Sequence, residues 1–444
     1  MPAASRLLAR LTLAVAALLA GPRAHAQGGD VLSQSTPSLP ASIDMSGTAW
    51  SPPDGRPGAV HRRAGPWALM LHGEGTLQGL AHAGSPHYRG RGISAVNWFM
   101  TSADRRTGGG TLVLRAMASA EPWTVRGCGY PDLLATGEVC DGDSVHDRQH
   151  PHDLFMELAA TYDRPLIGST RLQVYGGPVG EPALGPAAFM HRTSAAGNPV
   201  APLTHHALDS THVSFGVLTG AVYGRTWKVD ASLFNAREPD DRRLDLERSP
   251  LDSWSARITL RPSAGTVLQV SGAQLQEVEA GIGTAPRLDA TRVTTSISSV
   301  RRIRSGLWAA TVAYGFERAP TPDRPDGLRR ATHALLAEGT VVNGVHRWFG
   351  RIEVAGKPAH DLHADEFSPD VLSMARIQVG YQHHLATLGL LDLSGGATLF
   401  AGLVEPRLAP RYEGRVVPGA GILLRLAPPT SITAQAGHAA HESP

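Results

Sequence analysis

Long apolar runs are absent from most of this 444-residue chain. After residue 26, no segment holds the 18 or more consecutive apolar residues that a membrane-spanning helix needs. Such a chain can cross a membrane only as a closed β-barrel, because lipid cannot satisfy free backbone groups. An excess of one charge is also absent, since 41 Lys and Arg residues stand against 39 Asp and Glu residues. The formal net charge of +2 offers no basic surface, which argues against a nucleic-acid partner.

The first 26 residues have the pattern of a secretory signal peptide. Arg6 and Arg10 supply positive charge before the apolar stretch 11–20, and Ala24-His25-Ala26 forms a small-residue cleavage site. A retained N-terminal anchor is the alternative, which the cleavage site disfavours. The next segment, 27–65, is rich in Ser, Pro and Gly without periodicity, and we interpret it as a flexible periplasmic leader. At the other end, 428–444 is interpreted as a periplasmic tail.

Alternating apolar and polar residues are the main pattern of the mature chain. In 225–236, Trp227, Val229 and Leu233 share one face, while Lys228 and Asp230 share the other. A soluble β-sandwich with one wet face would show the same alternation, so the spacing of the strands has to separate the two. We predict sixteen strands, at 67–79, 92–103, 110–121, 154–163, 168–177, 209–222, 225–236, 252–262, 265–277, 290–302, 305–318, 329–341, 344–356, 371–385, 389–402 and 415–426.

The connections between these strands alternate between long and short. Long ones such as 122–153 and 178–208 are followed by tight ones such as Val342-Asn343-Gly344, where Asn-Gly is a strong hairpin signal. Long loops on one rim and short turns on the other are typical of outer-membrane barrels. The sequence therefore predicts an all-β fold, a single antiparallel up-and-down barrel over 66–427. We expect about sixteen strands, with fourteen to eighteen compatible with the pattern, and both termini in the periplasm.

The inner face of such a barrel is predicted to carry many charged residues. Sixteen strands enclose a lumen too wide for the wall side chains to fill. One interpretation is that these residues hydrate the lumen and pair locally. The other is a basic ladder that steers anionic solutes. The predicted lumen-lining residues are Arg115, Lys228, Asp230, Arg257, Arg261, Arg347, Arg351, Glu353 and Arg376.

The long loop 122–153 holds both cysteines of the chain and a dense His/Asp group. In an exported protein, Cys128 and Cys140 are better interpreted as one disulfide than as a redox pair. His146, His150, His152 and Asp153 form a candidate site for a divalent metal such as Zn or Cu. The spacing matches no structural zinc template, and the alternative is that these residues hydrogen-bond the loops to one another.

A second long loop, 178–208, is apolar for an exposed segment. We expect it to fold into the lumen together with 122–153 and to occlude the lumen in part. A surface hydrolase is a further alternative, with Asp147, His150, His152 and Asp153 or the Asp209/His212 pair as acid–base groups. That role requires contacts across loops, so we regard an enzyme as the less favoured interpretation.

Three blocks carry a resemblance to a known group of proteins. They are GCGYPDLLATGEVCDGDSVHDRQHPHDLFMELA (127–159), VYGGPVGEPALGPAAFMHR (174–192) and PLTHHALDSTHVSFG (202–216). The chain resembles a family of porin-like outer-membrane β-barrel proteins of Gram-negative bacteria, specifically across about 120–235. The resemblance implies the fold, a location among outer-membrane lipid and, as in wide porin barrels, a homo-oligomer. It implies no activity.

The residues and the resemblance together favour a porin-like channel for a small polar or ionic solute. The first alternative is a metal-handling or ligand-binding barrel that uses its His-rich outer loops. The second is the surface hydrolase. None of the patterns identifies the solute or the direction of transport.

Overall fold

The computed structural model describes residues 44–55, 58–84, 90–141, 143–248, 250–279, 288–320 and 329–429. The predicted signal peptide 1–26, the first part of the predicted leader and most of the predicted tail lie outside the described residues. Among the residues that are described, none of the helices has the length and apolarity needed to cross a bilayer.

Sixteen antiparallel strands form a closed barrel, and all sixteen predicted strands are confirmed. Each wall strand pairs with the next wall strand along the chain, and the last pairs with the first through Gly419–Leu426 and Gly75–His82. The wall strands are β2 (Trp67–His82), β3 (Arg91–Thr107), β4 (Gly110–Ala118), β7 (Phe155–Ile167), β8 (Thr170–Val179), β9 (Val217–Tyr223), β10 (Trp227–Phe234), β11 (Ser253–Ser263), β12 (Thr266–Glu279), β13 (Leu288–Ile303), β14 (Gly306–Pro320), β15 (Arg329–Asn343), β16 (His346–Pro358), β17 (Val371–Leu388), β18 (Leu391–Leu403) and β19 (Val416–Ala427).

Three further strands lie outside the wall. β1 (Val60–Ala64) pairs with the first residues of β2, and β5 (Tyr130–Cys140) pairs with β6 (Asp143–Gln149) to form a separate two-stranded sheet. Helical structure among the described residues is limited to single turns: Glu121–Thr124 and His205–Leu208 as α-helix, and Pro53–Gly55, Phe189–His191, Thr193–Ala195, Ser210–His212, His360–Leu362, Asp365–Phe367 and Pro406–Leu408 as 3-10 helix.

Several predicted strand boundaries are wrong by three or more residues, and two of them have a clear local reason. The strand predicted to begin at residue 209 begins at Val217, because Ser210–His212 forms a 3-10 turn and Ser214 pairs with Gly180 instead. The turn predicted at 164–167 lies at 168–169, since Gly168 adopts a positive φ of 55° and β7 continues to Ile167.

The two faces of the wall differ in polarity along every clear strand. In β10, Trp227, Val229 and Leu233 are exposed on the outside, whereas Lys228 and Asp230 are buried on the inside. The outward row of large apolar side chains continues around the barrel, for example at Ile258, Ile352, Val379 and Leu399. An apolar exterior with a polar interior is the arrangement of a barrel wall that faces lipid.

Candidate functional site: the luminal segments and the outer loops

Within the described residues, three segments of chain contact the inner face of the barrel wall. The first is 44–55, here called the N-terminal luminal segment, and the second is the β5–β6 hairpin. The third is the connection between β8 and β9, residues 180–216, here called the luminal loop. All three form hydrogen bonds or ion pairs with charged side chains of the wall, and residues such as Leu133, Leu184 and Leu203 add apolar contacts.

The N-terminal luminal segment is bound by charged residues of β10 and β11. Thr48 donates its hydroxyl to Asp230 at 2.6 Å, and Arg257 donates to the same Thr48 oxygen at 2.9 Å. Lys228 donates to the Thr48 carbonyl at 2.8 Å and to Asp44 at 3.2 Å. These groups are almost fully buried, so each charge has a partner where water is scarce.

The centre of the luminal loop is bound by an ion-pair network. Arg192 lies 2.7 Å from Glu338 on β15 and 2.5 Å from Asp209 at the far end of its own loop. Arg351 on β16 donates to the other Glu338 oxygen at 3.1 Å and to the Val200 carbonyl at 2.8 Å. One wall carboxylate thus links two arginines, one from the loop and one from the wall.

A second network joins the luminal loop to the hairpin. Arg376 on β17 forms ion pairs with Asp132 of the hairpin and with Glu353 of β16, and it donates to the Ala201 carbonyl at 2.6 Å. Glu353 also accepts hydrogen bonds from the backbone and hydroxyl of Thr204, at 3.1 and 3.0 Å. Arg376 therefore contacts both inserted segments at once.

The β5–β6 hairpin is held together by a disulfide and by a buried aspartate. Cys128 and Cys140 are joined, as predicted. Asp147 accepts a hydrogen bond from the Leu134 backbone at 2.8 Å and one from the Tyr412 hydroxyl at 2.9 Å. Lys357 of β16 donates to Thr136 at 2.9 Å. The hairpin is consequently fixed both internally and to the barrel.

Comparison with solved structures returns outer-membrane proteins, each with a TM-score below 0.5. No protein-family model and no curated protein matches the chain. An anion-selective porin from Comamonas acidovorans matches with a TM-score of 0.47 and 10% identity, over 81% of this chain and 99% of the porin. OmpF of Salmonella typhi, in complex with daunomycin, matches with a TM-score of 0.48 and 9% identity, over 82% of this chain and 100% of OmpF. The outer membrane channel DcaP of Acinetobacter baumannii matches with a TM-score of 0.45 and 10% identity, over 82% of this chain and 99% of DcaP.

The strand pairing, the closure and the apolar outer face of this chain are those of a porin-like barrel. The barrel is wide enough that its lumen can hold inserted segments, in keeping with its strand number.

The structure places the predicted lumen-lining residues as follows. Lys228, Asp230, Arg257, Arg351, Glu353 and Arg376 take part in the networks above. Arg115 donates to the Gly47 carbonyl and lies 3.3 Å from Glu157. Arg261 lies over the Trp50 ring at 5.5 Å, and Arg347 donates to Gln382 at 3.2 Å. Most of these charges are therefore bound to inserted segments or to neighbouring wall residues.

The four predicted metal ligands lie in different surroundings. His146 packs on His363 with ring centroids 4.4 Å apart, and His152 pairs with Glu121 at 3.0 Å. Asp153 lies 3.8 Å from Arg243, and His150 lies beside Gln149. In the described part of the chain, the one His/Cys/Asp/Glu group with metal-ligand spacing is Cys128, Cys140 and Asp141, whose sulfurs form the disulfide. The predicted metal site stays a prediction.

Several residues of the two networks were not predicted as site residues: Arg192, Glu338, Asp132 and Thr204. Arg192 and Glu338 are 146 positions apart, so no local spacing connects them. The available signal was an arginine and a histidine inside the apolar loop 178–208, since a charge in such a segment needs a buried partner.

Burial controls the protonation of the luminal-loop carboxylates and imidazoles. Burial acts to raise the pKa of Asp209, but the charge of Arg192 and the contact with His205 outweigh it and hold that pKa below its ordinary value. Burial lowers the pKa of His205 to about 4. The Asp209–His205 contact resembles half of a catalytic dyad, yet the second Asp209 oxygen is occupied by Arg192. The pair is therefore suited to hold the loop rather than to transfer protons.

Proposed function

We propose that this protein is an outer-membrane channel for a small polar or ionic solute, with both termini in the periplasm and a lumen closed by its own inserted segments. The observation that carries the proposal is the set of inner-wall charges bound to the N-terminal luminal segment and the luminal loop. These ion pairs and hydrogen bonds can be replaced by contacts with water or with a charged solute at a low net cost in free energy. The contacts of an apolar plug could not be replaced in this way.

Passage in this proposal requires movement of an inserted segment. A cavity lined by Trp50, Arg192 and Thr311 has a volume of about 20 Å³, which is room for about one water molecule, and another, lined by Thr136, Thr204 and Lys357, has a volume of about 110 Å³. The N-terminal luminal segment is the best candidate for movement because it precedes β1 and contributes no strand to the barrel wall. Its withdrawal leaves the polar faces of β10 and β11 open to water.

Withdrawal would also change the charge of the lumen. Lys228 would lose Asp44, and Arg257 and Arg115 would lose their contacts with Thr48 and Gly47. The open lumen would carry an excess of positive charge on this side. We therefore propose that the open state prefers anions, as the predicted basic ladder implies.

Conductance of the purified protein in planar bilayers tests the proposal. One variant lacks 27–57 and therefore lacks the N-terminal luminal segment but keeps β1. The matched control lacks only 27–43 and keeps the segment.

We expect the 27–57 deletion to raise the single-channel conductance severalfold over the wild type and to favour chloride over potassium. The control should conduct like the wild type. A 27–57 deletion that folds and conducts no more than the control would contradict the proposal.

Homo-oligomer formation stays a prediction, and so does the signal peptide.

A further inference from the structure

Methionine is concentrated in one place inside this barrel. The chain has 8 methionines. Five of them, with Trp98, belong to a single packed cluster that joins the wall to the luminal loop: Met70, Met100, Met117, Met156 and Met190. We call these residues, together with His72 and His191, the Met/His cluster.

The wall side of the Met/His cluster is a row across three neighbouring strands. His72 on β2 is directly opposite Met100 on β3, and Met100 is directly opposite Met117 on β4. All three side chains are buried, while Phe99, the neighbour of Met100, is exposed on the outer face. The row therefore points into the lumen. Met190 and His191 approach it from the luminal loop.

The two imidazoles of the cluster have nitrogen atoms that the protein leaves without hydrogen bonds. His191 is 2% exposed, and neither of its ring nitrogens has a partner. The His72 Nδ1–H donates to the Gly58 carbonyl at 3.0 Å, whereas its buried Nε2 has no partner. Leaving buried polar atoms unsatisfied costs free energy, so these nitrogens call for a physical explanation.

The distances suit an ion between the two rings. The centroids of His72 and His191 are 5.9 Å apart, and each is 4.6 Å from the centroid of Trp98. An ion bonded at about 2 Å to one nitrogen of each ring allows ring centroids up to about 6 Å apart. A neutral imidazole has a lone pair on one ring nitrogen, and that atom is the one able to bind a metal ion.

We propose that the Met/His cluster binds a soft monovalent cation, Cu(I), through thioether sulfurs and the nitrogens of His72 and His191. Thioethers are soft ligands that select Cu(I) over hard divalent ions, and imidazole is a good copper ligand. The competing explanation is that the methionines only fill space, which is their ordinary role in a core. This inference does not depend on the channel proposal, because the site needs only the packing of the luminal loop against β2, β3 and β4.

Titration of the folded full-length protein in detergent with Ag(I), a redox-inert analogue, and with Cu(I) under a competing chelator tests the proposal. The test variant is the double substitution Met100→Leu/Met117→Leu, which removes two sulfurs at nearly constant volume. The matched control is Met374→Leu, an equally buried methionine in a different apolar cluster. We expect one equivalent to bind to the wild type and the control, and about tenfold or more weaker binding to the double variant. Equal affinity in all three proteins would overturn the proposal.

X-ray absorption on the loaded wild type provides a measurement that does not depend on the folding of a variant. The expected nearest shell contains both sulfur and nitrogen. A shell of oxygen and nitrogen alone would show that the cation binds elsewhere, and the proposal would be wrong. A failure here leaves the conductance of the deletion variant unaffected, so the two proposals can be judged separately.

Discussion

Single buried charges connect the wall of this barrel to the segments inside it. Arg376 is the clearest case, because its guanidinium meets Asp132 of the hairpin, Glu353 of the wall and the Ala201 carbonyl of the luminal loop. All three charged groups are nearly inaccessible to water. Replacing a buried ion group by apolar residues can be neutral, but removing one member leaves the others uncompensated.

We expect Arg376→Met to lower the free energy of unfolding by about 3–5 kcal/mol, because two buried carboxylates lose their partner. Urea unfolding in lipid vesicles measures the effect. Arg407→Met is the matched control, since its ion pairs with Glu405 and Asp370 are exposed to solvent and should matter little. Equal losses for both variants would show that the Arg376 network does not stabilise the fold.

Elements differ in how well their positions follow from the sequence. β10 was predictable because inward polar residues, such as Lys228 and Asp230, alternate with outward apolar residues, such as Val229. This period of two is visible within the strand itself. The luminal loop has no such period. Its position depends on pairs such as Arg192–Glu338, which only the closed barrel brings together. The strands and the disulfide were therefore predictable, whereas the networks and the Met/His cluster were not.

The folded protein is expected to be less stable at alkaline pH. Ser46 donates to Glu181 of the luminal loop, and burial raises the pKa of Glu181 to about 8, with that hydrogen bond opposing the rise. The unfolded chain has a glutamate pKa of about 4.3, so the folded state holds the extra proton between these values. Stability is therefore full at low pH and is lost as the pH rises through about 8.

The free energy of unfolding, measured at pH 6 and pH 9, checks this expectation. The wild type should lose stability between the two values, and Glu181→Gln should lose clearly less, since an amide does not titrate. A Glu181→Gln protein with the same pH dependence as the wild type would assign the change to other groups.

The whole molecule is a cylinder whose outside is apolar and whose inside is charged. Ile258 is 55% exposed on the outer face of β11, between the inward Arg257 and Thr259. A charge on the lipid face near the bilayer centre is unfavourable, while a charge in an outer loop is not.

We expect Ile258→Arg to destabilise the protein in vesicles by about 2–4 kcal/mol, because the residue lies at the centre of β11. Leu246→Arg is the control, because Leu246 is also exposed but belongs to the connection between β10 and β11. Urea unfolding measures both. If the two variants were equally stable, the outer face would not be in contact with lipid.

The short β1 strand has a consequence for how the cylinder is sealed. One edge of β2 is shared, with Trp67–Leu71 covered by β1 and Gly75–His82 covered by β19. If the final strand slid along this edge towards the N-terminal end of β2, it would collide with β1. The β1–β2 hairpin thus limits how far β19 can shift along β2. It thereby sets the stagger at which the last wall strand pairs with the first.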